Sequence, residues 1–165
     1  MFLVYTDFRT ASFRNLIVCK ELLSILSTCE SKNKQQILHK IYYLSGYIIE
    51  FCYKFALFSG LNISKFENIS DFGEKEFKEK WKHHSFSKLK NICIESKVIF
   101  SADIPYLGNN NIDKKVKYLI ESWEVQIRYS IKLSKNPIAN LSQNDIINLV
   151  ELCEEILNKI TTKYS

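Results

Sequence analysis

The sequence predicts an all-α fold: an antiparallel bundle of four long helices with one or two short extra helices, in one domain spanning residues 1–165. Two observations carry this prediction. Only 4 Gly and 2 Pro occur in 165 residues, too few for a turn-rich sandwich or barrel. Most of the chain also repeats its apolar residues with the spacing of a helix face.

The first helix is expected from about Asp7 to Cys29, with Phe13, Leu16, Cys19, Leu23 and Leu26 as its inner stripe. Ser31–Lys34 reads as a short polar break. The segment from Lys34 to Ser59 is the most apolar of the chain: Ile41, Leu44, Ile48, Cys52 and Phe55 make one stripe, and Tyr42, Ile49, Tyr53 and Leu57 cover much of the rest. A helix apolar nearly all round belongs at the centre of a bundle. Gly46 costs it about 1 kcal/mol relative to Ala, which implies close approach of a second helix. Gly60 is the expected stop.

Beyond it, Phe77 and Trp81 lie one turn apart in the charged run Glu74–Lys82, the pattern of a short amphipathic helix. His84-Ser85 is placed to cap a further helix with Phe86, Leu89 and Cys93 inside. Ser101–Asn111, with Pro105, Gly108 and three consecutive Asn, reads as a loop. A helix opening at Asp113 carries Val116, Leu119, Ile120, Trp123 and Ile127 on one face and should end before Asn136-Pro137. The last helix starts at Ser142 and buries Ile146, Leu149, Val150, Cys153, Leu157 and Ile160.

Composition excludes several classes of function. No run approaches 18 apolar residues, so no membrane span or membrane partner is expected. The apolar opening Met1–Tyr5 stops at Asp7 and Arg9, too short for a signal-peptide core. Five scattered cysteines without a CxxC pair read as free, mostly structural thiols in a reducing cytoplasm. Net charge of +5 allows nucleic-acid binding without implying it. The basic residues are nearly all Lys, which leaves few candidates for bidentate phosphate readout. There is no Gly-rich phosphate loop, HExxH, EF-hand loop or GxSxG turn. No cofactor is expected, and no metal: His83 and His84 are adjacent and would point different ways from a helix.

The informative polar residues are those set among apolar ones. Glu50 and Lys54 interrupt the central helix one turn apart, in the favourable order for an ion pair. Glu124 and Arg128 repeat that arrangement, with Tyr129 adjacent. Buried charges need partners, so these pairs either brace the bundle or line a polar groove with His84 at its edge.

At these residues the chain resembles the HEPN domain family. Tyr42-Tyr43-Leu44-Ser45-Gly46-Tyr47-Ile48-Ile49-Glu50, with Tyr53-Lys54, is similar to that family's YYLAGYAVE…LK helix. His84–Leu89 resembles its H-x-L-x-x-L segment, and Trp123–Ser130 a W-x-v-x-x-RYS stretch of one branch. The segments follow the family order over roughly residues 34–164. The resemblance implies an α-helical bundle, a homodimer, and a role in bacterial toxin–antitoxin, defence or mobile-element systems. Many such domains are metal-independent ribonucleases with an R-x4-6-H motif, whereas others bind RNA or nucleotides, often beside a nucleotidyltransferase-like partner protein.

The chain departs from the nuclease motif: no His follows Arg9, Arg14 or Arg128 at that spacing. The expected function is therefore that of the motif-lacking branch, a binding or accessory module. Its groove would comprise Glu50, Lys54, His84, Glu124, Arg128 and Tyr129, with Lys54 and Arg128 holding a phosphate and the glutamates orienting them. The rival readings are a divergent ribonuclease using His84 and Arg128, and a purely structural interaction bundle. Trp81 is the aromatic expected at a dimer interface.

Overall fold

The protein is described from a computed structural model. The structure describes residues 3–69, 82–98, 104–107, 111–125 and 140–164. Among these residues every regular element is a helix: α1 (Thr6–Ile25), α2 (Ser31–Gly60), α3 (Phe86–Glu95), α4 (Lys114–Glu121) and α5 (Gln143–Tyr164). No helix among them is long and apolar enough to cross a membrane.

α2 takes the central place its composition requires. It buries Ile41, Ile48, Cys52 and Phe55 on one side and Tyr42, Ile49, Tyr53 and Leu57 on others. Each such side chain contributes roughly 1.5–3 kcal/mol by leaving water. α1 runs antiparallel to α2: Phe8 packs on Phe51 and Phe58, and Cys19 lies over the Ile41 carbonyl. α5 runs parallel to α2, since Gln35 meets Leu141, Ser45 meets Cys153 and Ser59 meets Tyr164. α1 and α5 are again antiparallel, joined by Lys20 and Glu154.

Several boundaries differ from those the periodicity predicts. α1 stops at Ile25 rather than Cys29, where Ser24 and Thr28 hydroxyls donate to carbonyls three residues back and compete with the helix ladder. Ser31–Lys34 is the exposed first turn of α2, not a break. α2 ends at Gly60 as expected, but Gly60 is not the left-handed residue that closes it. Asn62 adopts φ 56°, and the Ile63 N–H donates to the Phe58 carbonyl, a Schellman closure one turn long.

The inner stripe expected from Asp7 to Cys29 faces the core at Leu16, Cys19, Leu23 and Leu26, with Phe13 as the exception. Phe8, Ser12, Leu16 and Cys19 are buried, whereas Phe13 faces solvent. Phe8 and Ser12 complete that face, the Ser12 hydroxyl donating to the Phe8 carbonyl.

The helix expected to run from Asp113 to before Asn136-Pro137 is eight residues long and ends at Glu121, with Ser122 as its C-cap. Its N-terminus is capped as predicted, with Asp113 Oδ1 accepting from the Lys115 and Val116 N–H groups. Trp123 is not on its stripe. It follows the C-cap Ser122 and drives its indole against Gly46, where an added Cβ would lie 2.0 Å from the ring. Gly46 thus admits an indole, not a helix. The indole N–H donates to the Tyr43 carbonyl, and the Tyr42 hydroxyl donates to the Leu119 carbonyl at 2.6 Å, fastening α4 to α2. The amphipathic segment 74–82 with Phe77 and Trp81, except its last residue, falls outside the described residues. So do most of the loop 101–111 and Ile127, the last residue of the expected stripe.

Candidate functional site

The site grows from the one charged cluster buried in the core among the described residues. Glu50 has no solvent exposure and Lys54 only 3%. Being four residues apart on α2, they meet on one face, and Lys54 Nζ donates to Glu50 Oε1 at 2.5 Å. Lys54 Nζ also sits 5.7 Å from the centre of the Phe8 ring, a desolvated cation–π contact on the α1 side.

The third member arrives from the α2–α3 connection. His84 stands just before the N-cap Ser85, and its Nδ1 lies 3.0 Å from both carboxylate oxygens of Glu50. The imidazole is half exposed, at 51%, whereas the carboxylate that holds it is wholly buried. Engaging Nδ1 fixes the orientation of the ring and leaves Nε2 out of the bond to Glu50.

His84 edges an open cleft of about 1270 Å³ between the start of α3, the Ile104–Leu107 turn, α4 and the Trp123 segment. Its polar wall includes Lys90 from α3, Lys114 and Lys117 from α4, and the carboxylates of Glu121 and Glu124. Lys117 and Glu121 pair at 3.8 Å on the surface, a contact worth little in water. Lys90 and Lys114 have no carboxylate in ion-pair range among the described residues and remain available to an anion. The apolar floor is Phe86 stacked on Trp123, ring centres 5.0 Å apart, with Tyr106 edge-on to Phe86. Burial pushes the Tyr106 phenol up to about 12, so it stays a neutral donor at physiological pH.

The predicted groove is thus partly assembled. Glu50, Lys54 and His84 converge, and Glu124 lies exposed on the cleft wall. Glu50 and Lys54 are sealed, however. Lys54, expected to grip a phosphate by its charge, spends that charge on Glu50 and acts only through His84. Arg128 and Tyr129 lie outside the described residues, and with them the proposed Glu124–Arg128 pair. Lys90, Lys114 and Lys117 were missed. Their sequence signal was faint, since a lysine off the apolar stripe of a helix looks like any solvated one.

Among the described residues no group of three His, Cys, Asp or Glu side chains is placed to hold a metal. The cysteines Cys19, Cys52, Cys93 and Cys153 are buried, and burial raises their thiols, Cys19 to about 11 and Cys52 and Cys93 to about 12. None of these four is a nucleophile at neutral pH. No family model matches the chain, and no similar curated protein or solved structure was found.

Proposed function

We propose that the protein is a HEPN-like helical binding module whose cleft takes a phosphate-bearing ligand, a nucleotide or a segment of RNA. The observation that carries this reading is the anchoring of a half-exposed imidazole by a fully buried carboxylate, at 3.0 Å, on a cleft that also offers Lys90 and Lys114. A buried carboxylate costs stability unless it is paired; Glu50 is paired with Lys54 and also orients a cleft group. The lysines supply charge, His84 a directed hydrogen bond, and Phe86 with Tyr106 an aromatic floor for a base. With this reading go the expected antiparallel bundle of four long helices with one or two short extra ones and, from the scattered free cysteines, a reducing cytoplasm. On the sequence resemblance, the module would stand beside a nucleotidyltransferase-like or other partner in a toxin–antitoxin, defence or mobile-element system.

The test is titration of a fluorescent single-stranded RNA, with ATP as competitor, at several salt concentrations. Binding that weakens steeply with salt and is reduced by Lys90→Glu and Lys114→Glu supports the reading. A folded protein that binds neither probe is the interaction bundle of the rival reading.

A second reading has its own observation. An imidazole oriented through Nδ1 by a carboxylate is equipped for proton transfer at Nε2. In a ribonuclease His84 would be the acid or base at the 2′-hydroxyl or the leaving oxygen. Cleavage of the same RNA in EDTA, abolished by His84→Ala with the fold retained, would establish it; inertness in EDTA would dismiss it.

A further inference from the structure

The cleft beside His84 is not uniformly cationic. Among Lys90, Lys114 and Lys117 stand two carboxylates, Glu121 and Glu124. A carboxylate repels phosphate, so on this wall it answers a different part of a ligand. Glu121 has Lys117 beside it at 3.8 Å. Glu124 is exposed and has no ion-pair partner among the described residues. An ionised carboxylate only accepts hydrogen bonds, through two oxygens side by side, and two adjacent N–H donors match it best.

The wall formed by the Ile104–Leu107 turn is under strain. Tyr106 has φ 63°, a left-handed conformation that a bulky side chain rarely adopts. Buried Ile104 and Leu107 anchor the turn on either side of it, and the Leu107 N–H donates to the Pro105 carbonyl at 2.7 Å. The tyrosine is thereby held in a backbone shape it does not favour, with its ring in the cleft, edge-on to Phe86. Strain of this kind gathers at ligand-binding sites. Burial, and after it the Glu121 charge, keeps the phenol protonated, so it donates there.

We infer that the cleft selects a guanine base, with Glu124 accepting from the ring N1–H and the 2-amino group and Tyr106 donating to the 6-carbonyl. This selectivity presupposes that the cleft holds a nucleotide or RNA, as proposed for it. A base laid on the aromatic floor turns its pairing edge toward the walls, where single-stranded bases are read. Guanine alone among the RNA bases carries two adjacent donors next to an acceptor on that edge. Adenine and cytosine set a ring-nitrogen acceptor against the carboxylate, and uracil a second carbonyl. Such a mismatch discriminates by repulsion as well as by the lost bond.

Displacement of the fluorescent RNA by GMP, IMP, AMP and dGMP, and by uridine pentamers with a central G or A, tests this. GMP should compete at a concentration about tenfold or more below AMP, the discrimination expected of one bidentate pair. IMP, which lacks the 2-amino group, should fall between them, and dGMP should match GMP. The pentamers separate a base within RNA from a free nucleotide; in whichever form binds, the guanine member should win. Glu124→Gln turns one acceptor into a donor and should erase the preference, and Tyr106→Phe should reduce it, with circular dichroism checking the fold of each variant. GMP and AMP competing equally would overturn the inference while leaving the cleft its ligand. So would a guanine preference that survives Glu124→Gln, or dGMP competing no better than AMP, which would put Glu124 on the ribose. A protein that binds neither RNA nor nucleotide removes the reading of the cleft itself, and the guanine selectivity with it.

Discussion

His84 and Glu50 are joined through both oxygens of the carboxylate, each 3.0 Å from Nδ1, while Lys54 occupies Oε1 from the other side. One buried anion therefore serves two cationic or donor partners, one sealed in the core and one at the cleft. Removing the anion should be far worse than removing the whole pair. Glu50→Ala leaves Lys54 charged and unpaired inside, at a cost of about 3–5 kcal/mol. Glu50→Leu/Lys54→Met should fall within about 1 kcal/mol of wild type or exceed it. Urea denaturation measures both. The double variant, stable but with His84 unmoored, should bind the RNA probe more weakly, and unchanged binding would remove Glu50 from the site.

His84→Ala separates the same cluster from the opposite end. The ring is half exposed, so its bond to Glu50 is screened and its loss should cost about 1 kcal/mol or less. Glu50 keeps Lys54, and the core stays paired. RNA affinity should fall while the urea midpoint hardly moves. A midpoint that falls as far as in Glu50→Ala would make His84 a structural clasp.

What could be read from the sequence divides along the line between period and contact. The inner faces of α2 and α5 follow from spacing alone, because a stripe such as Ile146, Leu149, Val150, Cys153, Leu157 and Ile160 admits one orientation. In α1 the spacing puts Leu16, Cys19, Leu23 and Leu26 on the inner side, but apolar residues also lie on the opposite face at Phe13, Ile17 and Ile25, so it misassigns Phe13. Glu50, Lys54 and His84 were recognisable as polar groups among apolar ones, and the first two as an i,i+4 pair. That His84 joins them across 34 residues is a matter of tertiary packing, as is the meeting of Lys90 with Lys114 at one cleft.

Gly46 and Trp123 should behave as a coupled pair. A methyl group at residue 46 would collide with the indole, so Gly46→Ala has to expel the ring or shift α2. Overpacking of this kind costs about 1–3 kcal/mol, outweighing the gain in helix propensity. Trp123→Phe opens a cavity and loses the bond to the Tyr43 carbonyl. Combined, the larger residue at 46 and the smaller at 123 compensate in part, so the double variant should be more stable than the sum of the singles predicts. Thermal denaturation of the four proteins gives the coupling, and simple additivity would place the indole elsewhere.

Thiol chemistry reports on the core directly. Cys29 is the half-buried cysteine, while Cys19, Cys52, Cys93 and Cys153 are inside. An aromatic disulfide reagent at neutral pH should therefore label one thiol in the native protein, all five after denaturation, and none in native Cys29→Ser. The raised thiols also set an alkaline limit. A buried thiol stays protonated up to about 11 or 12, whereas in the unfolded chain it ionises from its ordinary value of 9.0. Below pH 9 both states hold the proton and stability does not depend on these groups. Above it the unfolded state sheds protons that the folded state keeps, so stability falls as pH climbs toward the folded values. Unfolding free energy measured from pH 8 to 11 should decline, and Cys52→Ala should flatten the decline because it removes one such group. An identical slope in that variant would mean that the thiol is already ionisable in the folded protein.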